Sequence, residues 1–572
     1  GIPASHAARQ GPVQGAGRSP DRPLHFEYRT STLHHSVESL LAGGKAPVYL
    51  VHFTQKDATE AAQNYLALDP LSKTEKEAVR TALHGFRFDT PIGKDLRRYI
   101  TAGIGVHHAG LLPKYRLLVE KLAHDGLLKI ICGTDTLGVG INVPIRSVLF
   151  TQLCKYDGTS VRILSNREFA QIAGRAGRKG YDDAGDVWVQ APPHVVENLR
   201  NYEKAAATGK RSVKKKAPER GYAHWSQDTF DKLVNGEPEQ LRSHFQVNHQ
   251  MVMSLLDRPV MNGADGCASV RRLMVDNHET RKRQRGHIRR AIAIYRSLVD
   301  AELLEFPDPP DEYGRRVRVN FDLQDEFALH QPLSLWALQA IGALPDRSRS
   351  LESADESDDA DPATRTAEAG GAAVLHALDV LTIIEAVQES PGVVMAAQTE
   401  QARSELMAEM KAAGVEYEER IERLSQVEPP RPNKDWMYAN FNEFRSKHPW
   451  VGGYTVRPKS IARDLWERVM TFTEYVNHYG LKRSEGVLLR YLSDVYKGLV
   501  QNVPAEAVTD EIDDLIAWLG AVVRQVDSSL IDEWERLLDP EPRSFGDGAR
   551  TSEVRSGGGE RTVVDDERAF RV

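Results

Sequence analysis

Apolar and polar positions alternate in two different rhythms along the chain, and the change comes near Pro192. Before it, short apolar runs rich in β-branched and aromatic residues are separated by helical patterns. Ala46–Gln55, Gly103–Leu111, Leu127–Thr134, Ser147–Leu153 and Gly185–Ala191 each begin as a buried strand. Lys56–Leu68 and Pro113–His124 carry apolar residues at helical spacing. Ser72 with Glu75, and Ser165 with Glu168, have the spacing of capping boxes that open further helices. Strands alternating with helices predict a doubly wound parallel sheet over about 23–195. After Pro192 helical patterns dominate: Phe230–Leu256, Arg283–Leu304, 331–345 and 372–538, with short strand pieces such as Arg316–Phe321. The expected fold class is therefore α/β followed by mainly α.

Composition changes this picture little. The apolar fraction is 41% and the charged fraction 27%, ordinary for a globular protein. No apolar run is long enough for a membrane span, and residues 1–22 lack a signal core and read as a disordered lead-in. The three cysteines, Cys132, Cys154 and Cys267, form no C-x-x-C pair, which argues against disulfides and zinc and fits a reducing cytoplasm.

Charge distribution matters more than the net of −7. Residues 346–370 hold eight acids against three bases, and are expected to form an unstructured acidic loop. Residues 271–290 hold eight Lys or Arg against two acids, as in a phosphate-contacting segment or a solvated helix face. The tail 541–572 is rich in Gly, Arg and Glu, and is expected to be disordered.

Three strings carry chemistry. GTDTLGVGINVP (Gly133–Pro144) follows a strand; Gly138 and Gly140 permit close backbone approach to a ligand, and Thr134, Asp135 and Asn142 supply polar groups. QIAGRAGR (Gln171–Arg178) places Arg175 and Arg178 three apart, expected on one helical face, with Gly174 beside them. Guanidinium forks at that spacing suit a phosphoryl group in transfer. In HHAGL (His107–Leu111) the adjacent histidines suggest a metal, but no third ligand stands at metal spacing.

Together, GTDTLGVGINVP and QIAGRAGR resemble motifs V and VI of superfamily 2 helicases, and VHFTQKDATEAA (Val51–Ala62) resembles motif IV. The order GIGVHHAGLLP, LLKIICGTDTLGVGINVP, LFTQLCKYDG, EFAQIAGRAGRKGYDDAG is similar to the superkiller-type (Ski-like) RNA helicases, in an actinobacterial-type branch, which work with RNA decay or processing machines. KYDG (Lys155–Gly158) lies where that family has an extension, and RSEGVLLRYLSDVYKGL (Arg483–Leu499) is similar to the family's ratchet helix.

The resemblance implies a second RecA-like domain over 23–195, a connector and winged-helix-like region over 196–330, and a helical bundle over 331–540. It implies Arg175 and Arg178 at the γ-phosphate of ATP and Gln171 helping to place water or the nucleotide, with Gly138, Gly140, Asp135 and Gly174 lining the nucleotide. It implies Thr134, His107, His108, Gly110, Thr54, Asn142 and Arg490 along the nucleic acid. No G-x-x-x-x-G-K-[ST] phosphate loop occurs, and neither DEYG (Asp311–Gly314) nor DEID (Asp510–Asp513) ends an apolar strand. The ATP-gripping first RecA-like domain, with its Mg ligands, is therefore expected to lie outside this chain, which reads as the C-terminal part of a 3'–5' RNA helicase inactive by itself. DNA as substrate, and an ATP-independent RNA-binding scaffold, stay open as alternatives.

Overall fold

The structure is a computed structural model, and it describes residues 5–10, 32–135, 144–157, 160–177, 182–208, 214–218, 222–241, 245–260, 264–320, 333–344, 362–504 and 507–538. Five parallel strands form the sheet: β2 (Val48–His52), β3 (Ile104–His107), β4 (Ile130–Thr134), β5 (Ser147–Phe150) and β8 (Gly185–Gln190). A sixth, β1 (Ser5–Gln10), pairs antiparallel with β8, giving the order β1-β8-β5-β2-β4-β3. This corrects the reading of 1–22 as wholly unstructured: β8 presents an unpaired edge, and backbone groups alone suffice to fill it.

The pleat explains why the central strands read as unbroken apolar runs. In β2, Val48 and Leu50 enter one apolar cluster, and Tyr49 and Val51 enter another on the opposite face. Both capping boxes form, at Ser72–Glu75 and Ser165–Glu168. The Pro113–His124 helix has the predicted limits.

A short antiparallel hairpin, β6 (Cys154–Tyr156) and β7 (Val161–Ile163), stands beside the main sheet.

Beyond the sheet the chain is mostly helical. The pattern read over Phe230–Leu256 is two helices, Gln227–Asn235 and His249–Leu256. The second packs with Gly266–Val275 and Arg281–Asp300, and a ribbon of β9 (Leu304–Glu305) and β10 (Arg318–Val319) follows. The long helix Pro362–Val387 starts inside the acidic stretch 346–370. Alanines between Ala363 and Ala373, with proline at the first helical position, favour helix there despite the acids upstream. The rest of that stretch, 346–361, and the tail 541–572 lie outside the described residues. Trp225, Trp336 and Trp450 are buried, and Trp466 packs against the core. No described helix is long and apolar enough to cross a membrane.

Candidate nucleotide and nucleic-acid interface

Two chain segments far apart in sequence meet at the end of β4. The Tyr49 ring lies over Gly133, where a Cβ would come within 3.1 Å of it. The Tyr49 hydroxyl donates to the Thr134 carbonyl. Asp135 and Arg175 both act electrostatically on that hydroxyl, whose pKa is raised mainly by burial. Residues following β4 and residues of the QIAGRAGR string thus share one neighbourhood.

The hairpin holds them there. Lys155 on β6 binds Asp135 at 3.1 Å and Glu168 at 2.8 Å. Arg162 on β7 grips Glu168 through two nitrogens, at 2.8 and 2.9 Å, and reaches Asp157 at 3.4 Å. Glu168 also closes the capping box on Ser165, so a single carboxylate starts the helix Asn166–Ala173 and anchors it to the hairpin. Burial opposes its charge, but Arg162, Lys155 and the Ser165 amide overcome that and hold it well below the usual carboxylate range. Glu168→Ala is expected to cost about 2 kcal/mol, combining a lost cap with lost charge-assisted bonds. A urea unfolding midpoint equal to that of the parent would show that the hairpin does not anchor this helix.

The helix ends at Ala173, with Gly174 as its cap. Arg175 therefore stands in the turn after the helix, not on the helical face expected. Ala176 then pairs with Ile145 just before β5, and Gly177 turns with φ +96 while its amide binds the Ile145 carbonyl at 2.9 Å. A Cβ on Gly185 would overlap the Ala176 carbonyl, so two glycines let this segment lie against the sheet. Gln171 and Gly174 are exposed and Arg175 is half-buried. Arg178, Gly138, Gly140 and Asn142 lie outside the described residues.

The HHAGL loop has a different role from the one expected of its side chains. His108 is fully buried; its Nδ1 accepts from the Gly110 amide at 3.2 Å, so Nε2 carries the proton toward Thr59 Oγ1, also at 3.2 Å. Burial depresses its pKa to about 4 and keeps the ring neutral. His107 is buried too, with Nε2 at 2.8 Å from Glu120. Neither imidazole reaches a surface, so His107 and His108 shape the loop rather than contact a nucleic acid directly. Thr54 is exposed, but its hydroxyl caps the helix Gln55–Asn64 by accepting from the Asp57 amide at 3.0 Å. Among the described residues no three His, Cys, Asp or Glu converge as metal ligands would.

Gly110 instead receives the far helical body. Its carbonyl accepts from the Gly486 amide at 2.9 Å, at the start of the helix Glu485–Asn502. A Cβ on Gly486 would overlap the Leu111 carbonyl, so only glycine allows this approach. Arg483–Glu60 at 3.2 Å and Lys482–Asp95 at 2.7 Å flank it. Behind them, Glu485 is buried and accepts from Thr90 Oγ1 at 2.7 Å; Thr90 in turn accepts from Tyr115 at 2.8 Å. One turn further on stands exposed Arg490; burial first, and then this neighbouring cation, lower the pKa of Arg116. The inner face of this helix is core: Leu488, Tyr491, Leu492 and Val495 are buried.

A family described as a domain of unknown function (DUF3516) matches residues 191–572. The chain belongs to this family. Human Superkiller complex protein 2 is 29% identical over 227 residues, covering 38% of this chain and 16% of that protein. Human Exosome RNA helicase MTR4 is 30% identical over 233 residues, 40% of this chain and 20% of the relative. The Arabidopsis thaliana DExH-box ATP-dependent RNA helicase DExH9 is 37% identical over 162 residues, 27% of this chain and 16% of the relative. Two of these relatives, MTR4 and DExH9, are named as RNA helicases. The matched part of the chain spans a fifth or less of the length of each.

Proposed function

We propose that the chain supplies the second RecA-like half of an ATP-dependent RNA helicase, together with its accessory domains. The observation that carries this reading is the convergence of Asp135 and Arg175 at the end of β4, locked by Lys155, Glu168 and Arg162. Arg175, with Arg178, would meet the γ-phosphate of ATP held by a phosphate-loop domain outside residues 1–572, which would also bring the Mg ligands. Gln171, exposed on the helix Asn166–Ala173, would face the same cleft. Neutralising charge that spreads over the leaving phosphoryl group is the chemistry such arginines perform. The docked helix Glu485–Asn502 with Arg490 and Arg116 would line the strand's path. The three helices and β9–β10 ribbon would be the winged-helix-like region. RNA is preferred over DNA because the similar proteins are named as RNA helicases. The test joins residues 1–572 to a phosphate-loop domain and measures RNA-stimulated ATP hydrolysis and duplex unwinding. A joined protein that binds RNA yet hydrolyses nothing would overturn the proposal in favour of an ATP-independent scaffold.

The part of the basic run that opens the helix Arg281–Asp300 belongs to this reading as a phosphate contact. Arg281, Lys282 and Arg283 occupy the first turn of their helix, where the macrodipole disfavours cations, and all three are exposed. Arg283 has a carboxylate partner, Glu279 at 3.0 Å. If about four phosphates of a single strand are neutralised, the log–log salt slope of binding is expected near −3. Replacing Arg281, Lys282, Arg283 and Arg285 by Ala should flatten it; an unchanged slope and affinity would assign the run to a solvated face.

A further inference from the structure

An apolar groove of about 600 Å³ opens on the three-helix region, and its lining shares no residue with the Asp135–Arg175 neighbourhood. Its walls are two helical stripes. Val270 and Met274 come from Gly266–Val275, and Ile288, Ile292 and Tyr295 come from Arg281–Asp300. Val252 and Leu256 close the floor. Spacings of three and four residues on both walls match the ridges of a helix laid between them. The rim is cationic: Arg271 and Arg296 line the groove, and among the described residues no acid does. The apolar surface also continues outward, since Val275 and Ile292 are 43% and 49% exposed. A small ligand would leave that outer strip in water, whereas a macromolecular segment would cover it.

We propose that this groove docks an amphipathic helix of a partner protein, with an apolar stripe for the groove and acidic residues for Arg271 and Arg296. Charge complementarity selects the occupant. A basic helix would meet the rim with like charge, and a nucleic acid would leave the aliphatic walls unsatisfied. The site is independent of the ATP-facing arginines, so its failure would leave the helicase reading standing, and the reverse.

The test uses the full chain and displayed random peptides of about four helical turns. Selection should enrich sequences with apolar residues at three- and four-residue spacing and net negative charge. Ile292→Asp should lower their affinity at least about tenfold, as for loss of a central anchor. Because Ile292 is half-exposed, this variant should fold, which circular dichroism checks. Arg271→Glu with Arg296→Glu should weaken acidic peptides and favour basic ones. Cys267, an exposed thiol in the groove wall, should be protected from maleimide by a bound peptide, while Cys132 and Cys154 are buried in either state. Three results would overturn the proposal. One is selection of peptides indifferent to Ile292→Asp. The second is protection of Cys267 by single-stranded RNA and by no peptide. The third is a self-association, lost in Ile292→Asp, that shows a second copy in the groove.

Discussion

In the role proposed for it, Arg175→Ala in residues 1–572 joined to a phosphate-loop domain should reduce ATP turnover by about three orders of magnitude, the effect of removing an arginine finger. Arg178→Ala should behave alike. Nucleotide binding should change far less, because a finger acts on charge that develops during transfer rather than on the ground state. The position of Arg175 makes this a sharp test. It sits past the helix cap, beside the bridge from Ala176 to Ile145, so truncation removes a guanidinium without removing a helical residue. Residues 1–572 by themselves should hydrolyse no ATP above background, since nothing in the sequence cradles the β- and γ-phosphates. Single-turnover rates separate the effect on chemistry from one on RNA binding. Near-normal turnover in Arg175→Ala would remove that residue from the role proposed.

The parallel sheet was legible because its strands are buried on both faces, so β2, β4 and β5 read as apolar runs with no polar alternation. Capping boxes were legible because their chemistry is local: Ser72 and Ser165 satisfy their own helix starts. The hairpin β6–β7 was not, since three-residue strands such as CKY and VRI are too short and too polar to show a period. With it the binding of Lys155 and Arg162 to Glu168 stayed hidden, although KYDG marked the place. The edge strand β1 escaped for a related reason: its pairing rests on backbone groups that any sequence has.

Site residues divide on the same line. Spacing identified the string containing Arg175 but misplaced it on a helical face, because the glycine that ends the helix also reads as a small residue within one. His107 and His108 were read as lying along the nucleic acid; in the fold their rings turn inward, where Glu120 and Thr59 await them. Those partners lie on other elements, and sequence order does not reveal them. Glu485 had no signal at all. It looks like any acid in a first helical turn, and only the docking of Gly486 on Gly110 buries it.

That burial makes acidification strengthen the docking of the helical body, and Glu485 is the group to test. Loss of hydration is the main cause pushing its pKa from 4.5 up to about 7; the Thr90 bond and the charges of Lys114 and Lys482 pull the other way and only partly offset it. The folded protein therefore keeps a proton on Glu485 at pH values where the unfolded chain has lost it. Stability from this group is full below about pH 4.5, falls as pH rises toward 7, and is level above that. The whole span corresponds to about 3 kcal/mol. Buried histidines work in the opposite sense: His52, His108 and His249, each depressed to about 4, cost stability as acid charges them in the unfolded chain. The raw pH profile mixes these effects, so the informative quantity is a difference. Glu485→Gln keeps the shape and mimics the protonated acid. It should be more stable than the parent by about 3 kcal/mol near pH 8, and equal to it near pH 4.5. Urea midpoints measured across that window check this. A difference that stays constant with pH would mean Glu485 titrates as an exposed acid and the interface with Gly110 is open in solution.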